Sequence, residues 1–159
     1  MRRVDFHFIV VMVLISIVFL SCSNQSESLK QPDLKKAIDV KIALSDSAYA
    51  LGSPIEFMMV VKNDSPDSVE LIFPDACRFD FLLSNKKGEI WSFLGDKKCA
   101  QIISRNKLAP RDSLVLRSTW DGLSKTTDAE LLMGQYSIIG VLQTYPPINT
   151  KPTKFYLVD

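Results

Sequence analysis

The chain has 159 residues and a mass of 17.9 kDa, which leaves room for one domain with an appendage and excludes most multidomain enzymes. Lys and Arg number 19 against 18 Asp and Glu, so a formal charge of +1 offers no broad field for gripping nucleic acid, and no nucleic-acid partner is expected. Apolar residues make up 47% of the chain, and the excess is concentrated at the amino-terminal end, where the only histidine, His7, also lies.

Residues 1–21 read as an export signal. Arg2 and Arg3 precede a run from Phe8 to Leu20 that is apolar except for Ser16. The run is shorter than the roughly 20 residues a membrane-crossing helix needs and fits a signal-peptide core. Phe19-Leu20-Ser21-Cys22 resembles the lipobox of bacterial lipoprotein signals, in which cleavage precedes a cysteine that carries a diacylglyceryl group. Leucine is commoner where Phe19 stands, and the plainer alternative is a secretory signal followed by a free Cys22. Removing residues 1–21 takes away Arg2, Arg3, Asp5 and His7, leaving 17 basic and 17 acidic side chains and no histidine.

Residues 22–36 read as a lipidated tether, since Ser23 to Lys36 is polar and shows neither a helical nor a strand period. As flexible chain it would span about 20 Å. Residues 37–159 form the expected domain. Ile38, Val40, Ile42 and Leu44 alternate with Asp39, Lys41 and Ala43, the pattern of a half-buried strand. Turn formers follow from Ser45 to Pro54. A second strand runs from Ile55 to Lys62, ended by the turn formers of Asn63 to Ser68, and a third from Val69 to Phe73. Arg78 to Ser84 and Glu89 to Leu94 make a hairpin around Asn85-Lys86-Lys87-Gly88. Further strands are expected at Gln101–Asn106, Ser113–Trp120, Gln135–Gln143 and Lys154–Val158, and one helical turn at Ala129–Met133 behind a Thr127-Asp128 cap.

Short strands separated by turns, with almost no helix, predict an all-β fold. The expected architecture is an antiparallel immunoglobulin-like β-sandwich of about eight strands, with a closed barrel as the alternative.

Without a histidine after His7, the usual base at neutral pH, the Ser-His-Asp and Cys-His constellations and the commonest metal ligand are all missing. No catalytic residue, cofactor or metal is expected, and the chain reads as a non-enzyme. Pairs such as Asp64 with Asp67 or Asp75 with Asp80 fit turns and strand faces better than an acid/base pair. Cys77 and Cys99 are an even pair once Cys22 is acylated, and the reading favours a disulfide between them. The competing reading is a reactive Cys99 thiolate beside Lys97 and Lys98. Trp91, Trp120, Phe73, Phe79, Phe81 and Tyr136 are read as core rather than as a stacking platform.

Between Ile55 and Gly140 a series of short motifs follows in order: Asn63-Asp64-Ser65, Leu71-Ile72-Phe73-Pro74, Arg78-Phe79-Asp80-Phe81, Trp91 with Phe93, Gln101, Leu108-Ala109-Pro110, Trp120-Asp121, and Gly134-Gln135-Tyr136 with Gly140. This order resembles the BsuPI-type intracellular proteinase inhibitor domain. Phe93 replaces a commoner Trp, Arg111 a commoner Gly and Met133 a commoner Pro. Cys77 and Cys99 stand where the family usually has a polar residue and a phenylalanine, as a bridge added to an exported member would require. The resemblance implies a sandwich that binds a protein, a peptidase in the first instance, through end loops. Two loops are candidates: Gly95–Ala100 with Lys97 and Lys98, and Thr144–Pro152 with Tyr145, Pro146 and Pro147. The expected location is the bacterial cell envelope, extracytoplasmic and held to the membrane by the lipid on Cys22. A structural or assembly lipoprotein of the envelope without inhibitory activity is the alternative.

Overall fold

Alternation of apolar and polar side chains becomes eleven strands in the computed structural model, which describes residues 33–122 and 132–159. In chain order the elements are α1 (Leu34–Ala37), β1 (Ile38–Ala43), β2 (Ala48–Ala50), β3 (Ile55–Asn63), β4 (Val69–Phe73), β5 (Phe79–Asn85), β6 (Gly88–Ser92), β7 (Ser104–Leu108), β8 (Ser113–Trp120), β9 (Gly134–Leu142), β10 (Ile148–Asn149) and β11 (Thr153–Val158). One sheet has the order β1-β3-β8. The other has the order β2-β11-β9-β5-β6 with β10 added to β9, and β4 pairs with β7 as a separate ribbon. Among the described residues no helix is long and apolar enough to cross a membrane.

The two sheets face each other across an aromatic centre. Along β3 the inward side chains Ile55, Phe57, Met59 and Val61 are at most 1% exposed, as period-two alternation requires. The Phe57 ring reaches the opposite sheet, lying 5.9 Å from Phe81 and 6.0 Å from both Trp91 and Phe155. Trp120, Phe73 and Tyr136 are also buried, and Phe79 packs at the margin, so the aromatic residues form the core and not a platform. Burying each such ring stabilises the fold by about 1.5–3 kcal/mol.

The sandwich expected from the sequence is present, and it differs from expectation in two details. Eleven strands lie among the described residues where about eight were expected, because Ala48–Ala50 and Ile148–Asn149 are too short to show alternation and lie among turn formers. The architecture is not wholly antiparallel, since β2 runs parallel to β11, with Tyr156 opposite Ala48 and Val158 opposite Ala50. Tyr49 holds this edge by packing edge-on against Phe155 at 5.7 Å. Leu34–Ala37 forms one helical turn, with the N–H groups of Lys36 and Ala37 donating to the Asp33 carbonyl and Ala37 buried. One turn is too short to carry a helical period.

The strand boundaries differ from expectation by a few residues. The largest shift is at β7, expected from Gln101 and observed from Ser104. The Asn85–Gly88 turn closes the β5–β6 hairpin as expected, with the Lys87 N–H donating to Asn85 Oδ1 at 2.8 Å. The expected signal (residues 1–21), Cys22 and the tether up to residue 32, and residues 127–131 of the expected cap and helical turn lie outside the described residues, while Leu132 and Met133 are not helical.

Candidate functional site

Strand order brings the two candidate loops to one end of the larger sheet. β5 lies between β9 and β6. The start of β5 meets the ends of both neighbours, because Phe79 pairs with Leu142 and the Phe93 N–H donates to the Phe81 carbonyl at 3.0 Å. The pairing continues one step further, where the Gln143 N–H donates to the Arg78 carbonyl at 2.9 Å. The chain therefore leaves β6 into residues 93–103 and leaves β9 into residues 143–147 at the same end, with Cys77 immediately before β5 between them.

Cys77 and Cys99 are joined, with Cα atoms 5.5 Å apart and a separation of 22 in sequence. The bond ties the first candidate loop to the start of β5 and removes the reactive-thiolate reading of Cys99. Asp75, Cys77 and Cys99 place ligand atoms within 4.8 Å of one another, but the disulfide occupies both sulfurs. The Asp75 carboxylate instead accepts the Cys77 N–H at 2.8 Å. A second anchor follows the bridge, in which the Ala76 N–H donates to the Ala100 carbonyl at 3.0 Å.

A buried carboxylate shapes the first half of this loop. Asp80 is 7% exposed and accepts from Ser92 Oγ at 2.9 Å, from the Phe81 N–H at 2.8 Å and from the Leu94 N–H at 3.0 Å. Ser92 Oγ in turn accepts the Gly95 N–H at 2.9 Å. The sequence reading placed Asp80 on a strand face and missed this role, because nothing in Arg78-Phe79-Asp80-Phe81 shows that the chain returns beside it fourteen residues later. Asp80→Ala is expected to lower stability by about 2 kcal/mol, since it leaves the Leu94 N–H and Ser92 hydroxyl without their acceptor in a partly buried site. Urea denaturation of the variant checks this, and a change below about 0.5 kcal/mol would remove Asp80 as the organiser of the turn.

The two lysines of the loop differ. Lys97 folds back, its ammonium 3.6 Å from the centre of the Phe93 ring, and Phe93 stacks on Phe79 at 5.0 Å. Lys98 is exposed. Beyond the bridge, Ile102 and Ile103 are 62% and 68% exposed, an apolar pair held between Cys99 and β7. Two β-branched residues before Ser104 read in sequence as part of a strand, so their exposure was not legible there.

The second loop presents Tyr145, 86% exposed, with Pro146 and Pro147 also exposed. The Tyr145–Pro146 peptide is cis, and Thr144 Oγ1 donates to the Pro146 carbonyl at 2.8 Å. Ile148 and Thr150 then turn inward, and the Thr150 side chain accepts the Gly140 N–H at 2.9 Å.

This geometry defines an immunoglobulin-like β-sandwich that displays one disulfide-braced loop and one proline-rich loop from the same end of a sheet. The chain belongs to the BsuPI family, described as intracellular proteinase inhibitor, whose model matches residues 42–146. No curated protein matches the sequence. Among solved structures the chain is similar to the sporulation control protein Spo0M of Bacillus subtilis, at 14% identity, TM-score 0.49, 77% of this chain and 50% of that one. It is similar also to the Pseudomonas fluorescens alkylpurine DNA glycosylase AlkC, at 11% identity, TM-score 0.47, 77% of this chain and 31% of the other. For a Listeria innocua β-glucosidase the identity is 7%, the TM-score 0.46, and the shares are 77% and 16%. The chain thus spans half or less of the length of these proteins.

Proposed function

We propose that this protein is a lipid-anchored, extracytoplasmic inhibitor of a peptidase. Membership of the BsuPI family over residues 42–146 carries the inhibitory part. The anchoring part rests on the basic start, short apolar core and Phe19-Leu20-Ser21-Cys22 of the sequence. It draws support from the Cys77–Cys99 disulfide, a bond that persists in oxidising compartments and is uncommon in the cytosol. The role needs no catalytic group, cofactor or metal.

The inhibitory surface in this reading is the loop end, with Ile102, Ile103, Lys98, Tyr145 and Pro147 as contacts. A segment already fixed by a disulfide and a loop stiffened by prolines lose little conformational freedom on docking. Exposed apolar and aromatic side chains supply the area that desolvates.

The test is a panel of serine, cysteine and metallopeptidases titrated with the full chain in non-ionic detergent. Saturable inhibition of at least one peptidase is expected. Ile103→Asp and Tyr145→Ala should each raise the inhibition constant about tenfold or more, with unchanged melting temperature. No inhibition across the panel, together with recovery of a stable envelope complex on affinity capture, would replace this reading by that of an assembly lipoprotein. Mass spectrometry of the membrane-extracted protein tests the anchor, with a diacylglyceryl mass on Cys22 expected and an unmodified thiol there the contrary result.

A further inference from the structure

The free edge of β1 faces a groove of about 550 Å³ whose other wall is β10 and the segment leading into β11. Backbone bonding shows which groups point into it. The Asp64 N–H donates to the Ala37 carbonyl at 2.9 Å, whereas both the N–H and the carbonyl of Asn63 bond toward β8, at Asp112 and Arg111. In an antiparallel pair, bonded and non-bonded positions alternate. With Ile38 opposite Asn63 and Ile42 opposite Met59, the N–H and carbonyl groups of Val40 and Ile42 therefore point away from β3. The Ile38 N–H is taken by the Leu34 carbonyl at the end of α1.

The opposite wall has the same character. The Thr150 N–H donates to the Gly140 carbonyl at 2.8 Å, and the register pairs Asn149 with Val141, so the Asn149 backbone points away from β9. The groove thus runs between two strand edges, one from each sheet, and neither edge has a backbone partner among the described residues.

Its charge is one-sided. Lys35, Lys41 and Lys151 line it with Asp39 as the sole acid. Asp39 pairs with Lys41 at 2.6 Å, and this hydrogen bond raises the Lys41 amine above its ordinary range. Lys35 and Lys151 have no acidic partner within 4 Å among the described residues. Edge lysines commonly block pairing between copies. A second copy along β1 would set lysine near lysine, which is unfavourable across a strand pair.

We propose that this groove binds an extended peptide segment with acidic side chains at alternate positions, added as a strand along β1. Its backbone would bond to Val40 and Ile42, its acidic side chains would face Lys35, Lys41 and Lys151, and its intervening side chains would lie over Ile42 and Pro147. Strand addition draws affinity from main-chain bonds and specificity from alternate side chains. The groove meets the proposed inhibitory contacts at Pro147 and shares none of Lys98, Ile102, Ile103 or Tyr145 with them, and its strand edge at β1 stands whether or not the protein inhibits a peptidase.

The test is fluorescence anisotropy with the full chain in non-ionic detergent and a dye-labelled hexapeptide, Val-Glu-Val-Asp-Val-Glu. Saturable binding that weakens with salt is expected, with the Lys-for-acid peptide at least tenfold weaker. Lys35→Glu and Lys151→Glu should each weaken binding by about three- to fivefold, the range of an exposed ion pair. Val40→Pro should abolish binding without lowering the melting temperature, because the lost N–H serves no ladder bond. Should that variant unfold, peptides N-methylated at alternate residues take its place, and only one of the two methylation phases should bind. Equal binding of acidic and lysine peptides would overturn the proposal. So would indifference to methylation phase, absence of binding at millimolar peptide, or self-association through β1 in sedimentation.

Discussion

Asn63→Ala is expected to cost about 4 kcal/mol, more than most single substitutions in a domain of this size. The Asn63 side chain is fully buried, and all of its hydrogen-bonding capacity is used. Its amide nitrogen lies 2.8 Å from the Asp67 carbonyl, 3.0 Å from that of Ala109 and 3.2 Å from that of Leu108, while its oxygen accepts the Ser65 N–H at 3.0 Å and the Ser65 hydroxyl at 2.7 Å. One amide therefore ties the β3–β4 turn to the approach of β8. Alanine takes a donor from the Leu108 carbonyl and the acceptor from the Ser65 N–H, while the Ala109 carbonyl keeps the Asp112 N–H at 3.1 Å and the Asp67 carbonyl keeps the Ser65 hydroxyl at 2.8 Å; a group left unpaired costs about 1–3 kcal/mol where burial is complete. Asn63→Asp keeps the shape but turns an acceptor oxygen toward three carbonyls, so it should be at least as damaging as alanine. Urea melts of both variants check the order. A loss below about 1 kcal/mol for alanine would show that water takes over these bonds and that the turn is not fixed by Asn63.

Asn63 also marks where sequence reasoning stops. Asn63-Asp64-Ser65 is legible as a turn because those side chains bond nearby backbone. Its bonds to Leu108 and Ala109 are not, since they span 45 and 46 positions. The same division holds elsewhere. The β5–β6 hairpin, β3 and β8 follow from local alternation and turn chemistry, and β8 runs from Ser113 to Trp120 as expected. The parallel β2 edge and β10 depend on what lies beside them, and two or three residues carry no period of their own. For the candidate site, the Cys77–Cys99 pairing was legible in the sequence, and the two loops were named there as candidates. It did not reveal that β9, β5 and β6 carry both loops to one end, that Asp80 holds the turn, or that Ile102 and Ile103 leave the ladder and face solvent.

Cys77→Ser with Cys99→Ser is expected to lower stability by about 3.4 kcal/mol, the chain entropy that a 22-residue closure removes from the unfolded state. That is a large share of the roughly 5–15 kcal/mol margin of a small domain. It corresponds to a fall in melting temperature of roughly 10–15 °C for a unit of this length. Thermal melts with and without a reductant provide the check: reductant should bring the unaltered protein to the temperature of the double-serine variant and leave that variant where it is. An unaltered protein indifferent to complete reduction would show that the bond contributes nothing to the fold. The stability difference is also a statement about compartment. In a reducing cytosol the bridge would open and the domain would lose this margin, whereas outside the cytoplasm it would keep it. The loop feels the same change more sharply than the core, because residues 97–103 have no ladder bonds and the Ala76–Ala100 hydrogen bond is their remaining described backbone tie to the start of β5. Hydrogen exchange at the Ala76 N–H should therefore accelerate on reduction well before exchange in β3 or β9 does. Inhibition, where present, should weaken in parallel, since Ile102 and Ile103 would then have to be ordered at the moment of binding.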